Sequence, residues 1–153
     1  LMPLEPWSLL FICTGNICRS PMAEGLAQAY GARRGIPVRV ASASVLGLDG
    51  RKAHKHAIRV MSEIDLDISE HRAQPVTDAL VEDAAHILVM EIQHAAALRE
   101  RYPAADEKIM LLGTYGGMVE IRDPLGGWRR RFRICRDELQ HCVETFIDRL
   151  PQR

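Results

Sequence analysis

A four-residue apolar run, Leu9-Leu10-Phe11-Ile12, leads straight into Cys13-Thr14-Gly15-Asn16-Ile17-Cys18-Arg19-Ser20, and Pro21 follows at once. No other stretch limits the possible folds of this chain so strongly. The run has the length of a buried strand. Pro21 suits the first turn of a helix, where a missing N–H is harmless, and Ser20 suits the N-cap. A thiol therefore sits at the end of a strand, a glycine-containing loop curls after it, and a helix points its N-terminus back at the thiol. Backbone N–H groups and the positive end of the helix dipole together make an anion site. Arg19, inside the same loop, adds a planar fork for a phosphate-like oxyanion. A cysteine placed there is expected largely as thiolate near neutral pH. The loop reads as a nucleophile inside an oxyanion cradle.

The rest of the chain repeats the alternation of strand and helix. Met22, Leu26, Ala29 and Tyr30 share one face of a helix expected over about residues 21–34, which Gly35 and Pro37 stop. Glu24 lies one residue late for a capping box with Ser20. Val38 to Ser42 alternates like a strand, Gly47 to Gly50 is loop, and Ala57, Ile58, Met61 and Ile64 mark a second helix. Ile87 to Met90 and Ile109 to Leu112 are further strand-length apolar runs. Between them a helix is expected from about Gln93 to Tyr102, closed by Pro103. A long loop then runs from Gly113 to Gly127. The last helix, from about Arg129 to Leu150, carries Phe132, Cys135, Leu139, Cys142, Val143, Phe146 and Ile147 at three- and four-residue spacings. This order predicts an α/β fold, a parallel sheet covered by helices on both faces, with ligands outside the carboxyl ends of the strands. Cys13 lies at such an end. No domain boundary interrupts residues 1–153, so one domain is expected.

Charge and cysteine content narrow the partners. The chain has 20 Lys and Arg against 20 Asp and Glu, which gives no support for a nucleic acid or a membrane surface as partner. Four cysteines without a CxxC pair do not form a secreted disulfide framework. No signal peptide or membrane span is visible, so a reducing, cytoplasmic setting is expected.

Five residues separate Cys13 from Arg19, room for one tight turn around an anion the size of phosphate, with the amides from Thr14 to Arg19 facing its oxygens. Gly15 supplies backbone freedom and Asn16 tolerates a left-handed conformation. An ester oxygen leaves poorly without a proton, so an acid must lie nearby. Asp123, held extended on a loop by Pro124, is the first candidate and Glu120 its rival. Other signals are structural. Cys135 and Cys142 lie about 10 Å apart along a helix, too far for a disulfide, and read as core. His54 and His56 fall on different faces and do not make a metal pair. Gly113 to Gly117 lacks a Walker lysine. The basic run Trp128 to Arg133 starts a helix where the dipole disfavours it, and it lies beside Asp123, where it can attract acidic sequence around a phosphosite.

The block CTGNICRSPMAE, Cys13 to Glu24, resembles the signature of the low-molecular-weight protein tyrosine phosphatases. Weaker matches follow in the family's order: Ser42, His71-Arg72-Ala73, residues 87–90, residues 111–115 and Asp123-Pro124. The resemblance implies a four-stranded parallel sheet in a three-layer α/β/α sandwich and a phosphorylated protein as substrate. It implies Cys13 as nucleophile, Arg19 and the loop Thr14, Gly15, Asn16, Ile17, Cys18 and Ser20 as phosphate binders, and Asp123 as general acid. It further implies a bracing network of Asn16, Ser20, Ser42 and His71, and Cys18 as a reversible disulfide partner that guards Cys13 from over-oxidation. No metal or other cofactor is required.

Two details depart from the familiar pattern. Many relatives place aromatic residues after the Asp-Pro pair, whereas Leu125-Gly126-Gly127 follows here, and Val45-Leu46-Gly47-Leu48 also lacks an aromatic. Asp-Pro-x-Gly-Gly is similar to a bacterial branch that includes protein arginine phosphatases. That branch carries threonine where Ile17 stands, and isoleucine is the tyrosine-phosphatase choice because its bulk crowds a phosphorylated guanidinium. Phosphotyrosine is therefore the expected substrate, with phosphoarginine the alternative. Arsenate reductase shares the loop and fold but needs relay cysteines, and none lies between Cys18 and Cys135.

Overall fold

The computed structural model describes residues 4–47 and 49–151; Leu48 of the expected cleft wall lies outside them. Four strands, β1 (Trp7–Cys13), β2 (Val38–Ser44), β3 (His86–Val89) and β4 (Ile109–Leu111), form one parallel sheet in the order β2-β1-β3-β4. The helices are α1 (Arg19–Arg34), α2 (Lys55–Ser62), α3 (Asp78–Asp83), α4 (Ile92–Arg101) and α5 (Arg129–Asp148). Two 3₁₀ turns, Pro103–Lys108 and Leu112–Gly116, flank β4.

The sequence of β1 explains its place. Leu9 and Phe11 point into a core shared with α1, α2 and α5, while Leu10 and Ile12 point into a second core under α3 and α4. A strand buried on both faces must be continuously apolar, and an interior parallel strand is so buried. At the sheet edge, β2 keeps Arg39 exposed between Val38 and Val40. The three-layer α/β/α arrangement follows. The chain leaves β1 for β2 on one side and later returns to β3 on the other. The carboxyl end of β1 is thus the point where strand order reverses, the place such sheets bind ligands. Cys13 is the last residue of that strand.

Boundaries differ from expectation where side chains outside the local pattern decide. The first helix begins at Arg19, two residues early, with Cys18 at the N-cap. Ser20 is not the cap: its hydroxyl faces Cys13 Sγ at 3.0 Å and accepts from Asn16 Nδ2 at 2.7 Å. Gly35 closes α1 at φ 69°, a left-handed turn that glycine enters without strain. Helix α2 stops at Ser62, before Ile64. The six residues of α3 are too few to show a period, yet Thr77 Oγ1 caps Leu80 N–H at 3.2 Å. Part of the expected loop after Gly113 is a 3₁₀ turn clamped on α5. Tyr115 meets Phe146 edge-on, and a Cβ on Gly116 would come within 2.6 Å of Cys142 Sγ. Cys135 and Cys142 are buried and free. No helix among the described residues is long and apolar enough to cross a membrane.

Candidate active site

The loop from Thr14 to Cys18 wraps around the Cys13 thiol. Asn16 N–H donates to Sγ at 3.2 Å from one side and the Ser20 hydroxyl lies 3.0 Å away on the other. Asn16 sits at φ 58°, in the left-handed region that asparagine tolerates. Among the described residues the N–H groups of Gly15, Ile17, Cys18 and Arg19 have no intramolecular acceptor. A curl of unpaired donors at a helix N-terminus is an anion cradle.

Asn16, fully buried, holds the curl in place. Its Nδ2 donates to Ser20 Oγ at 2.7 Å and to Ser42 Oγ at 2.9 Å, and its Oδ1 accepts from Gln74 N–H at 3.0 Å. His71 Nε2 donates to its carbonyl at 2.7 Å. The Ser42 hydroxyl in turn donates to Glu24 Oε1. All of Asn16's polar atoms are therefore satisfied, which a buried amide requires.

Arg19 is 1% exposed, and a buried guanidinium needs a counter-charge. Glu91 supplies it, Oε2 to Nη1 at 2.7 Å, and the Ile121 carbonyl accepts from the same nitrogen at 2.7 Å. Burial raises the Glu91 carboxyl, and Arg19 more than reverses this, leaving it below the usual carboxylate range. Nη2 is turned toward Thr14 Oγ1 at 3.4 Å and Asp123 Oδ2 at 3.6 Å. The bracing of one nitrogen by protein leaves the other side of the fork facing the loop.

His94 fixes Thr14. Glu91 N–H donates to His94 Nδ1 at 3.1 Å, so the ring proton sits on Nε2 and is donated to Thr14 Oγ1 at 2.8 Å. Burial, with the Arg19 charge second, holds the imidazole below its ordinary pKa, so the neutral form prevails.

Asp123 is 40% exposed on its loop, and its Oδ1 accepts from Leu125 N–H at 3.0 Å. It lines, with Cys13 and Arg19, a cleft of about 150 Å³ whose sides include Ile17, Leu46, Arg51 and Leu125. Glu120 does not line this cleft; its Oε2 accepts from Ile92 N–H at 2.9 Å, at the start of α4. A thiol, a guanidinium and a carboxyl group thus converge on one anion-sized space. That arrangement suits transfer of a phosphoryl group to sulfur with protonation of the departing oxygen.

Comparison with known proteins agrees with this geometry. Residues 8–153 match the family model described as low molecular weight phosphotyrosine protein phosphatase. The chain belongs to this family. A protein-arginine-phosphatase of Geobacillus stearothermophilus is 37% identical over 97% of this chain and 96% of its own. A probable low molecular weight protein-tyrosine-phosphatase of Ralstonia nicotianae is 36% identical over 94% and 95%. The crystal structure of a low molecular weight protein tyrosine phosphatase from T. tengcongensis superposes with a TM-score of 0.90 at 32% identity, covering 94% of this chain and 99% of that one. The protein is thus a cysteine-dependent phosphatase of the low-molecular-weight family.

The residues expected from the sequence of this phosphatase are brought together: Cys13 to Ser20, Ser42, His71 and Asp123 all meet at the carboxyl end of β1. Glu24, the last residue of the signature block, also belongs to the site through Ser42, as do Gln74, Glu91, His94 and Ile121, which carry no sequence signal of their own. Their roles depend on segments that approach only in the folded sheet. Glu91, which follows the β3 run directly, is the one that position alone could have suggested. Burial raises the Cys18 thiol to about 12, with the Asp123 and Cys13 charges adding to it. His54 caps α2 by accepting from His56 N–H at 3.0 Å and stacks on Phe132 at 4.8 Å. Among the described residues no group of three or more His, Cys, Asp or Glu side chains is arranged to hold a metal.

Proposed function

We propose that this phosphatase hydrolyses phosphotyrosine in a protein substrate, in two steps carried by Cys13 and Asp123. The Cys13 thiolate attacks phosphorus, the bond to the tyrosine oxygen breaks, and Asp123 gives that oxygen its proton. Asp123, now a carboxylate, takes a proton from water as the water displaces sulfur and releases inorganic phosphate. Arg19 and the loop N–H groups balance the charge on the transferring group, and Ser20 stabilises the leaving thiolate. The observation that carries this reading is the single cleft shared by Cys13, Arg19 and Asp123. The choice of tyrosine rests on the cleft wall, where Ile17, Leu46 and Leu125 offer a ring aliphatic contact on several sides.

Phosphoarginine is the second reading. A relative 37% identical is named a protein-arginine-phosphatase, and Gly126-Gly127 matches that branch. Steady-state hydrolysis of paired phosphotyrosine and phosphoarginine peptides tests the choice. A higher kcat/KM for phosphotyrosine, shifted toward phosphoarginine by Ile17→Thr, is expected. Preference for phosphoarginine in the unaltered protein would reverse the assignment.

Cys18 completes the proposal as a redox guard. Oxidation of the Cys13 thiolate by peroxide gives a sulfenic acid, and the Cys18 thiol displaces water from it to form a disulfide that thiols reopen. Its raised pKa keeps Cys18 protonated during turnover, so it does not compete as a nucleophile. A reducing, cytoplasmic location fits four free thiols.

A further inference from the structure

The arginines of α5 divide into two groups. Arg133 and Arg136 are held by Glu63, at 2.7 Å and 3.0 Å. Arg129, Arg130 and Arg131, one turn earlier, are exposed, and their side chains make no ion pair or hydrogen bond with the described residues. Arg122 and Arg51 are likewise exposed and unpaired, one beside Asp123 and the other lining the cleft. The carboxylates within two positions of Arg51 and Arg122 are Asp49, Glu120 and Asp123; Glu120 accepts from Ile92 N–H, and Asp123 already faces Arg19 and Leu125 N–H.

This placement opposes the helix's own electrostatics. Three cations occupy the first turn of α5, where the dipole end is positive, no acid sits in that turn and no side chain caps it. In a chain with equal numbers of acids and bases, such a conflict with local stability marks a surface kept for binding. Large apolar side chains stand on the same stretch of chain, which reaches the cleft at Leu125. Trp128 is 83% exposed and Leu125 53% exposed, and Trp128 stands 6.4 Å from His56 at the start of α2. Arginine and tryptophan around a cleft are the residue types that anchor protein interfaces.

We propose that Arg122, Arg129, Arg130 and Arg131, with Leu125 and Trp128, form a docking surface for an acidic segment flanking the phosphorylated residue of the protein substrate. The inference rests on the phosphatase reading above and extends it to the sequence around the phosphosite. Acidic residues supply the counter-charges that this rim lacks, and the tryptophan face accepts an apolar residue between them. Encounter is steered by charge, so the selectivity is sensitive to salt.

The test uses two phosphopeptides of equal length, one with Asp and Glu flanks and one with Asn and Gln flanks, made with each phospho-residue. The expected kcat/KM ratio favours the acidic peptide by about tenfold at low ionic strength and falls several-fold at 0.5 M salt. The triple variant Arg129→Gln, Arg130→Gln, Arg131→Gln brings the ratio near one, as does Arg122→Gln in part. Because the readout is a ratio, general damage to the enzyme cancels. Anisotropy with unphosphorylated peptides, acidic against neutral, reads docking without turnover. Absence of p-nitrophenyl phosphate hydrolysis counts against the phosphatase reading, whereas equal binding of the two peptides counts against the docking surface. A preference that persists in the triple variant, or an oligonucleotide of equal charge that displaces the acidic peptide more strongly than a second peptide does, overturns the proposal.

Discussion

Cys13, Asn16, Arg19 and Ser20, on the cleft floor, are each 3% exposed or less, whereas Leu46 and Leu125, at its mouth, are 64% and 53% exposed. On the floor every polar side chain answers another, from Glu24 through Ser42 and Asn16 to Ser20 and Cys13. Arg51 at the mouth, and Arg122 and the three arginines that open α5 on the stretch that continues from Asp123 and Leu125, have side chains that answer nothing in the described protein. A buried polar group left unpaired is expensive, so the floor tolerates one arrangement of side chains. A solvated rim carries no such constraint and can vary with the substrate. In the proposed function, chemistry belongs to the fully paired half of the site and choice of substrate to the solvated half.

The comparison breaks first at the nucleophile. Cys13→Ser is expected to lower p-nitrophenyl phosphate turnover by about 10⁴-fold or more while leaving the melting temperature within a few degrees; substantial residual turnover would remove Cys13 from its role. Asp123→Asn comes next, with turnover of a poor leaving group falling by about 10²–10³-fold. Glu120→Gln should be close to the unaltered enzyme, and the opposite ranking of these two variants would transfer the acid role to Glu120.

Asn16→Ala tests whether the floor is over-determined. It strips hydrogen-bond partners from Ser20, Ser42 and Gln74 N–H, and a loss of about 2–3 kcal/mol is expected in urea denaturation, with activity falling too. Leu125→Ala probes the rim instead. Removing a half-exposed apolar contact is worth about 1 kcal/mol, an increase of about fivefold in KM for an aryl phosphate, with stability unchanged. A stability loss as large as that of Asn16→Ala would erase the contrast between floor and rim.

The smallest effect is one of pH. His94 is held neutral in the folded protein, its pKa lowered from 6.5 by burial and by Arg19. The unfolded chain takes up this proton first as pH falls below about 6.5. The contribution is therefore complete above that pH and is lost as pH falls toward the depressed folded value. Replacing His94 by Gln should flatten that part of the stability profile, measured as melting temperature against pH; an unchanged slope would place the histidine outside the linkage.

The floor is more legible in the sequence than the rim. Strand β1, the loop and the start of α1 are contiguous, and their pattern is local: an apolar run, a glycine, an asparagine that tolerates φ 58° and a proline after the turn. Even here Ser20, which suits an N-cap by residue type, is not the cap, because its hydroxyl is directed by Cys13 and Asn16 rather than by the helix end. The α3 helix and the 3₁₀ turn at residues 112–116 were missed for a related reason. Both are too short for a period, and contacts outside their own pattern, such as those of Tyr115 and Gly116 with α5, hold the second in place.

By itself the sequence determined the parallel α/β sheet and the thiol in an anion cradle, since both follow from the order of apolar runs and from eight consecutive residues. Only the tertiary structure decided which groups brace that cradle beyond Asn16, Ser20, Ser42 and His71. Glu24, Gln74, the Glu91–His94 pair and the Ile121 carbonyl lie on four separate stretches of chain, and sheet register together with the crossing of the helices over it sets which of them meet. The same packing decided which arginines of α5 find Glu63 and which are left to solvent, because a charge is neutralised by what lies near it in space, and sequence order does not encode that distance.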